Sequence, residues 1–517
     1  MPQQKLDGAL EQLVAAELIF CRGMPPGAEY TFKHALVQDA AYGTLLRSRR
    51  QQLHARVAST LESQFPDIVQ TQPELLGRHF GEGGFEEKAI AYFTVAGERA
   101  VKRGANAEVI RHFQRALELL QGRPQTAERS KAELKMLERL GPALAYAHGF
   151  GAPEVERAYL RARDLCEQLG QPVELFQALW GLWLNTVGRE RFEAARPIAD
   201  ELFTVAHRLE DRALLLEAHH AMCPTMLWLG DLQAARNHGE QGMRLYDREQ
   251  HRSLAFLFGG HDPGVCCRMQ SGVALWFLGY PDCARERSRT GMAMARELSH
   301  VGTIVNELPF DGIVNQLCGD VVAVREIAES LTSLSTEHGF PQWLAVGNIL
   351  SAWVLAQNRG ESPSARLRRA INEYRSGANQ LYVPYFLGLL AAIQLTHGEL
   401  AEGLDTVVSA LGLTGGKGSR LMDPELLRLK GELIVALDPG AKADAEVAFC
   451  QSIDIAQRQS SKSWELRAAM SMARLWRDQD KSQQARELLA PIYGWFTEGF
   501  DTLDLKEAKA LLAELAS

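Results

Sequence analysis

The chain has 517 residues, of which 46% are apolar and 23% are charged, and its formal net charge is −8. This length predicts either several ordinary domains or one long repeat array, and the apolar content excludes an intrinsically disordered chain. The acidic balance opposes nonspecific attraction to nucleic acid.

The eight cysteines are scattered along the chain and contain no Cys-x-x-Cys pair. Because this spacing matches neither a disulfide framework nor a zinc ribbon, we expect reduced thiols and a cytoplasmic location. The N-terminus lacks the basic and then apolar pattern of a signal peptide. The longest mostly apolar run, residues 383–395, is too short to span a bilayer, so we expect a soluble protein without membrane contact.

The first 60 residues differ in pattern from the rest. Residues 9–18 predict a short helix, and two predicted strands, 19–22 and 30–33, flank the turn Met24-Pro25-Pro26-Gly27. A further helix is predicted over about residues 35–64, and Gly43 can interrupt it. Helix, hairpin and helix in this order are the tail of a winged-helix unit. We therefore predict a partial winged-helix unit over residues 1–60.

Residues 61–517 contain a recurring sequence motif. It consists of an apolar helix end, a glycine, polar residues and an amphipathic helix that contains Ala. The glycines of this motif lie 38 to 49 residues apart and are Gly188, Gly230, Gly279, Gly319, Gly360 and Gly398. A period of this size holds two helices of about 15 residues and two turns. The pattern favours an all-α, right-handed superhelix of tetratricopeptide-like repeats, an α-solenoid, over a generic helical bundle.

Residues 90–123 fit the 34-residue tetratricopeptide pattern with a specific set of small and aromatic residues. These residues are Phe93, Ala96, Gly97 and Ala100 on the first predicted helix and Val109, Phe113 and Ala116 on the second. We expect the small residues to let neighbouring helices approach closely. We expect the glycine that ends each first helix to take a positive φ.

Three segments carry a family resemblance: FKHALVQDAAY at 32–42 with RRQQLH at 49–54, GHDPGVCC at 260–267, and APIYGWFTEGFD at 490–501. Together they resemble the C-terminal part of large bacterial signalling proteins. Those proteins join class III adenylate/guanylate cyclase domains to a STAND-type ATPase and a tetratricopeptide superhelix. The resemblance implies a regulatory half, a winged-helix remnant plus a superhelix, without its enzyme.

The catalytic motifs of that family are not recognisable in this chain. A P-loop needs Gly-x-x-x-x-Gly-Lys-Ser/Thr, and the segment TGGKGS at 414–419 lacks the leading Gly and the Ser or Thr that binds magnesium. We therefore interpret it as an inter-helix loop. Residues 433–438 resemble an apolar strand ending in Asp, but their neighbours favour a helix. We expect no enzymatic activity and no cofactor.

Residues 260–267 also offer a candidate metal site. His261, Asp262, Cys266 and Cys267, with His219 and His220 one repeat earlier, supply nitrogen and sulfur ligands that suit zinc. The competing interpretation is structural. In it, Asp262-Pro263-Gly264 forms a turn and the two cysteines enter an apolar helix as small core residues.

The segment before residue 60 offers two further candidates. Arg47, Arg49, Arg50 and Arg56, with His54, form a basic cluster on one predicted helix, which fits DNA-backbone contact, docking against an ATPase core, or a solvated helix face. His34 follows the second predicted strand. In STAND ATPases a winged-helix histidine at such a place can approach the nucleotide phosphates, and the alternative is a packed or capping histidine.

These patterns favour a non-catalytic protein-interaction and regulatory module of a cyclase/ATPase-type signalling system. Its ligand would bind in the concave face of the superhelix and would be a protein partner, or cyclase/ATPase domains on another or a longer chain. One alternative is a fragment of a STAND-type transcription activator that contacts DNA through its basic helix. Another is a complete cyclase or ATPase, against which the missing motifs argue.

Overall fold

The computed structural model describes residues 3–24, 28–357, 363–377, 380–415 and 418–516. It divides into two compact units, unit 1 over residues 1–136 and unit 2 over residues 137–517. Some predictions fall outside the described residues: most of the turn at 24–27, the repeat glycine Gly360, and Gly416 with Lys417 in the loop at 414–419.

Over the described residues the chain forms 27 α-helices and one two-stranded hairpin. The elements of unit 1 are α1 (Gln3–Ala15), β1 (Ile19–Arg22), β2 (Glu29–Phe32), α2 (Ala35–Gly43), α3 (Arg47–Gln64), α4 (Pro66–Thr71), α5 (Pro73–Glu82), α6 (Glu86–Lys102) and α7 (Asn106–Gln121). Helix α8 (Ala127–His148) runs across the division between the units.

The elements of unit 2 are helices, apart from one 3₁₀ segment at Arg252–Phe256. The helices are α9 (Pro153–Leu169), α10 (Pro172–Gly188), α11 (Phe192–Leu209), α12 (Arg212–Leu229), α13 (Leu232–Leu245), α14 (Arg248–His251), α15 (Pro263–Leu278), α16 (Pro281–Leu298), α17 (Val301–Leu317), α18 (Val321–His338), α19 (Pro341–Ala356), α20 (Pro363–Arg375), α21 (Val383–Thr396), α22 (Leu400–Thr414), α23 (Asp423–Leu437), α24 (Lys442–Arg458), α25 (Lys462–Arg477), α26 (Ser482–Trp495) and α27 (Leu503–Glu514). No helix among the described residues combines the length and the apolarity needed to cross a bilayer.

The beginning of unit 1 has the predicted order of elements. Strands β1 and β2 pair antiparallel with Ile19 opposite Phe32. The helix predicted over 35–64 is interrupted as expected, since α2 ends at Gly43 and α3 begins at Arg47. The predicted domain boundary after residue 60 falls within α3, and α3 packs against α5. That boundary and the winged-helix assignment both stay predictions.

Helices α6 and α7 form the tetratricopeptide-like pair predicted from the 34-residue pattern. The seven pattern residues, from Phe93 to Ala116, are all buried. Gly97 lies directly against Phe113, because a Cβ built on this glycine would stand 2.7 Å from the Phe113 ring. The missing side chain therefore sets how closely the two helices approach.

Unit 2 continues this plan as antiparallel helix pairs, and the fold is an all-α, tetratricopeptide-like α-solenoid, as predicted. The first helix of each pair, here called the inner helix, is buried on most sides. In α15, 15 of the 16 residues are buried, against 6 of the 18 in its partner α16. A helix that is apolar all round must be enclosed, whereas an amphipathic helix covers the core with one face.

The repeat glycines end the inner helices in the expected left-handed conformation at most positions. The φ angles lie between +78° and +96° at Gly230, Gly279, Gly319 and Gly398. Gly188 differs, because it is the last residue of α10 and the positive φ of 56° occurs at Glu190. The expectation of a positive φ at Gly188 was therefore wrong. At this repeat a non-glycine residue takes the strained position.

The C-terminal ends of the inner helices in the first half of unit 2 accept hydrogen bonds from residues just before, or in the first turn of, helices in its second half. The Gln380 amide donates to the Gly188 carbonyl at 2.9 Å, and the Arg420 amide donates to the Trp228 carbonyl at 2.8 Å. The Ser463 hydroxyl donates to the Trp276 carbonyl at 2.5 Å. We call this row of contacts the seam. It joins the ends of α10, α12 and α15 to the chain entering α21, α23 and α25.

The seam encloses the inner helices in one continuous apolar core that extends from Phe176 to Trp464. Trp276 on α15 meets Trp464 on α25 edge-on, with ring centroids 5.2 Å apart. Side chains from the second half of unit 2 thus pack against the inner helices of its first half. Partner binding in the concave face of the superhelix stays a prediction.

Replacing Trp464 by Ala tests the seam. The side chain is 1% exposed and its indole nitrogen donates to the Leu421 carbonyl at 3.2 Å, so we expect a loss of about 3–5 kcal/mol in the free energy of unfolding. Val447→Ala, at a position 56% exposed on α24, should change it by less than about 0.5 kcal/mol. Urea denaturation followed by circular dichroism measures both, and equal effects would argue against a buried seam.

Glu190 makes the seam sensitive to pH. Its side chain is 8% exposed and its Oε1 has no hydrogen-bond partner among the described residues; burial raises the carboxyl pKa from 4.5 to about 8. Between these values the unfolded chain releases the proton while the folded chain keeps it, so stability should fall as pH rises from about 4.5 to 8. Glu190→Gln should flatten this decline in urea-unfolding midpoints measured across the window. A parallel decline in both proteins would contradict the assignment.

Candidate functional site

The loop before α15 is built from glycines and ends in a helix cap. Gly259 and Gly260 have φ angles of +68° and +76°, which favour glycine. Asp262 then caps α15, because its Oδ1 accepts hydrogen bonds from the Gly264 and Val265 amides at 3.0 Å each. The Tyr246 hydroxyl donates to the other carboxylate oxygen at 2.9 Å. The loop therefore holds His261 in a defined place between two fixed ends.

Three buried side chains meet beside this loop. His220 of α12, His261 of the loop and Cys266 of α15 each place one ligating atom within 4.8 Å of the others. Glu217 of α12 and Glu307 of α17 border them and are also fully buried. We call these five residues the polar cluster. It lies where α15 packs against two other inner helices, α12 on one side and α17 on the other.

Both imidazoles of the polar cluster are oriented through Nδ1. The His261 Nδ1 lies 2.8 Å from the Gly259 carbonyl, so it carries the proton and Nε2 has a free lone pair. The His220 Nδ1 lies 2.9 Å from Glu217 Oε2, and its buried Nε2 has no partner among the described residues. Burial lowers the pKa of His220 to about 4 and that of His261 to about 3. Both rings are therefore neutral near pH 7.

The acidic members of the polar cluster are held near neutrality as well. The Cys266 thiol donates to Glu307 Oε1 at 2.7 Å, and Glu307 Oε2 is buried with no partner among the described residues. Burial raises the pKa of Glu307 to about 7 and raises the pKa of Glu217 well above its usual range. Burial and the neighbouring Glu307 raise the pKa of the Cys266 thiol. Burial thus favours the protonated, uncharged form of Glu217, Glu307 and Cys266.

The structure separates the predicted metal ligands into two groups. It brings His261 and Cys266 together with His220, whereas Asp262 uses one carboxylate oxygen to cap α15 and the other to accept from the Tyr246 hydroxyl. Cys267 faces the other side of α15, where its Sγ occupies the space left by Gly242 of α13. His219 also points away, with its Nδ1 3.0 Å from Nδ1 of His238.

Sequence reasoning missed the two glutamates, and repeat spacing is the signal that could have revealed one of them. Glu307 lies 41 residues after Cys266, and His261 lies 41 residues after His220. Both intervals are one repeat, so the solenoid places the members of each pair at equivalent places in neighbouring repeats. Glu217 precedes His220 by three residues on α12, a spacing that puts both side chains on one helix face.

A cleft of about 570 Å³ reaches the capping residue Asp262 from the side of α14 and the α16–α17 turn. Polar and charged side chains dominate its lining, which includes Arg248, Arg252, Glu297 and His300. The cleft thus reaches Asp262, which is the residue next to His261 in the chain.

The basic helix of unit 1 is α3. Arg47, Arg49 and Arg56 are exposed, and Arg49 donates to Gln52 Oε1 at 3.3 Å. The Arg50 guanidinium stacks over the Tyr42 ring at 5.0 Å. At least two of the four arginines therefore have local partners within unit 1.

The histidines of the same segment occupy separate places. His34 is exposed at the N-cap position of α2 and makes no capping hydrogen bond through its side chain. His54 of α3 lies between Tyr42 and His79, at 2.9 Å from the Tyr42 hydroxyl and 2.8 Å from Nδ1 of His79. His54 thus fastens α3 to α5, and the phosphate-sensing role of His34 stays a prediction.

Unit 1 also contains a basic cleft that sequence reasoning did not identify. Two adjoining hollows of about 550 and 690 Å³ lie along α5, α6 and α7 and share Glu74, Arg111 and His112; we call them the α5–α7 cleft. Arg103 pairs with Glu108 at 2.6 Å. Arg99, Lys102 and Arg111 also line the cleft, and no ion pair with another described residue is formed by any of the three.

The sequence order explains why these cations lie together. Arg99 and Lys102 occupy the last turn of α6, where the helix dipole favours positive charge. Arg111 and His112 follow in α7, and the His112 ring packs against Phe93 with centroids 6.4 Å apart. The cleft therefore has an apolar floor and a basic rim.

No protein-family model matches the chain. An uncharacterized protein of Rhizobium meliloti (strain 1021) is 23% identical over 456 residues, which are 87% of this chain. The chain spans only 44% of the length of that relative.

Several solved structures are similar to the chain in their helical-repeat fold alone. A Rap protein complexed with competence and sporulation factor has a TM-score of 0.45 and 13% identity, over 78% of this chain and 99% of that one. The APC/C hetero-tetramer Cut9–Hcn1 has a TM-score of 0.40 and 11% identity, over 94% and 99%. Yeast Tom70 has a TM-score of 0.33 and 12% identity, over 89% and 97%.

Gly259→Ala tests the loop that positions His261. A Cβ at this position would overlap the Trp180 ring, and the φ of +68° is strained for any residue with a side chain. We expect a loss of about 1–2 kcal/mol from the backbone and about 1–3 kcal/mol from overpacking. Gly339→Ala is the matched control, because its φ is +71° but its Cβ would meet no atom within 4 Å. Thermal unfolding of both variants measures the difference, and equal losses would contradict the overlap.

Proposed function

We propose that this chain is a non-catalytic protein-interaction and regulatory module of a larger signalling protein, in which the α5–α7 cleft binds an acidic segment of a partner protein. The observation that carries the proposal is the set of three cations on the rim of that cleft, Arg99, Lys102 and Arg111, which form no ion pair with any residue that the structure describes. Once Arg103 is paired with Glu108, Glu74 is the one carboxylate left among the lining residues of the hollow that holds them.

Charge and shape both favour an extended acidic peptide. The cleft follows three consecutive helices of a tetratricopeptide-like array, and such arrays present elongated surfaces to extended segments. Carboxylates along the peptide would pair with the basic rim, and an apolar side chain would rest on the floor near Phe93. Electrostatic complementarity of this kind accelerates association and selects against basic competitors.

The wider context that we propose is a cyclase/ATPase-type signalling system. The helix, hairpin and helix at the start of unit 1 and the resemblance in three segments support it. The Rhizobium relative is more than twice as long as the region that this chain matches, which leaves room there for further domains. In such a protein, cyclase/ATPase domains on the same or another chain would supply the acidic segment, and its binding would bias their activity. The eight free cysteines fit a reducing, cytoplasmic setting.

A short Asp/Glu-rich peptide is the probe for the cleft. We expect the full chain to bind it in fluorescence anisotropy, with affinity that falls as salt rises, and to bind an Asn/Gln-rich peptide of the same length much less. The double reversal Lys102→Glu and Arg111→Glu should weaken binding at least tenfold, about 1.4 kcal/mol.

The matched control carries the same charge change on α3, as Arg47→Glu and Arg56→Glu at two exposed positions. This variant should bind the acidic peptide like the unmodified chain. If both variants weakened peptide binding equally, the effect would come from net charge alone, and the proposal that the cleft binds the peptide would be overturned. The transcription-activator alternative is tested on the same proteins by gel shifts with duplex DNA at low salt. It requires that the unmodified chain binds the DNA and that the α3 variant does not.

A further inference from the structure

We propose that the polar cluster of unit 2 is a transition-metal site of the zinc class. His220 Nε2, His261 Nε2 and Cys266 Sγ would be its protein ligands, and the Glu307 carboxylate would complete a tetrahedral set. This inference is independent of the α5–α7 cleft, because the ligands lie on α12, the loop before α15, α15 and α17.

The donor set fits the chemistry of this class of ion. Imidazole nitrogen and thiolate sulfur suit zinc and its neighbours, whereas calcium and magnesium require oxygen ligands. A thiolate and one carboxylate would balance the charge of a divalent cation, so the filled site would be neutral in its buried setting. The ligands come from three successive repeats, so one ion would tie α12, α15 and α17 together.

The hydrogen bonds around the ligands already orient them as metal ligands are oriented. In zinc proteins a ligating histidine usually donates its other ring N–H to a carboxylate or a backbone carbonyl. His220 has Glu217 in this position at 2.9 Å, and His261 has the Gly259 carbonyl at 2.8 Å. These hydrogen bonds leave Nε2 of each ring as the nitrogen open to a metal ion, and one ring nitrogen of each histidine lies within 4.8 Å of Cys266 Sγ.

Three buried atoms in the polar cluster lack partners among the described residues: Glu217 Oε1, which is not a proposed ligand atom, and two atoms of proposed ligands. The latter two, His220 Nε2 and Glu307 Oε2, make no hydrogen bond, although both residues are 0% exposed. Buried polar atoms are nearly always paired, since an unpaired one costs free energy on folding. Coordination of one ion would satisfy both ligand atoms at once.

Binding requires a small contraction and the release of protons. The ligating atoms of His220, His261 and Cys266 all lie within 4.8 Å of one another. Around zinc, ligands at about 2.0–2.3 Å from the ion stand roughly 3.3–3.8 Å from one another, so the widest pair among these three would close by about 1 Å. The Cys266 thiol would lose its proton as the metal–sulfur bond forms, and Glu307 would lose any proton it holds, both to solvent. The cleft that reaches Asp262 offers a route from solvent towards the site.

Cobalt(II) provides a direct test on the full chain, because a cysteine ligand gives a thiolate-to-cobalt charge-transfer band and tetrahedral cobalt gives intense visible bands. The purified protein is stripped with a chelator, dialysed and titrated with Co²⁺ and then with Zn²⁺. We expect one ion per chain, the thiolate band with cobalt, and loss of that band when zinc displaces it. We also expect the chelator to lower the thermal unfolding midpoint, which Zn²⁺ should restore.

Two adjacent cysteines supply the matched pair of variants. Cys266→Ser should abolish the thiolate band and weaken zinc binding at least 100-fold, whereas Cys267→Ser, equally buried but facing Gly242, should leave both unchanged. Glu217→Gln should weaken binding about 10- to 100-fold while keeping the thiolate band, since it only orients His220. If Cys266→Ser does not fold, this carboxylate variant and the unmodified protein decide the question.

Three outcomes would overturn the inference. The first is a stripped protein that takes up no cobalt at equimolar concentration. The second is a cobalt spectrum without a thiolate band, or one that survives in Cys266→Ser, which would mean an adventitious ion only. The third is a thiolate band lost equally in Cys267→Ser. In each case the polar cluster would be a hydrogen-bonded core network and nothing more.

Discussion

The architecture of unit 2 depends on hydrogen bonds between helix ends and residues that lie about five repeats further along the chain. The last carbonyls of an α-helix have no partner within the helix and need one elsewhere when they are buried. The carbonyls of Gly188 and Trp228 each receive an amide from a residue 192 positions later, and the Trp276 carbonyl receives a hydroxyl from a residue 187 positions later. The offset stays nearly constant because both halves of the unit keep the same period. One half therefore packs on the other repeat by repeat.

This seam explains the composition of the inner helices. An open superhelix would leave one face of each first helix in water and would need polar residues there. In α15 only Arg268 is not buried, and in α21 the run from Val383 to Gln394 is buried apart from Ala392. The aromatic rings of Trp228, Tyr382 and Phe310 fill the space between the two halves. Polar function in unit 2 must therefore lie inside the core, as the polar cluster does, or on outer helices and loops.

Much of this fold was predictable from local sequence signals. Hydrophobic periodicity and turn glycines indicated helix pairs with a period near 40 residues. The break at Gly43 and the first strand were predicted correctly, and the second strand lies one residue earlier than predicted. The seam could not be predicted, because no local pattern marks Gln380 as the partner of Gly188. The one available clue was that several inner helices are apolar on all sides. That pattern predicts burial, but it does not say against which part of the chain.

The candidate site shows the same division between local and distant information. His261 and Cys266 were among the proposed ligands because they share one short segment, and the opposite directions of His219 and His220 followed from helix geometry. The structural interpretation placed Asp262-Pro263-Gly264 in a turn, whereas Asp262 is the N-cap of α15 and the other two residues begin that helix. Glu307 became relevant only when the 41-residue interval from Cys266 was converted into a contact between α15 and α17.

The polar cluster also differs from the rest of the core, because its buried side chains are polar where the surrounding side chains are apolar. Packing alone does not explain this difference. An apolar residue at Glu217 or Glu307 would suit its surroundings better, since burying carboxyl groups and imidazoles costs free energy even when they are neutral. Natural sequences break such rules mainly where a site requires it. The solenoid can assemble such a cluster from few residues, because equivalent positions in successive repeats lie close together. Each inner helix then needs to contribute only one or two side chains. The repeat that builds the seam thus also brings together the only part of this core, within the described residues, where two imidazoles and a thiol meet.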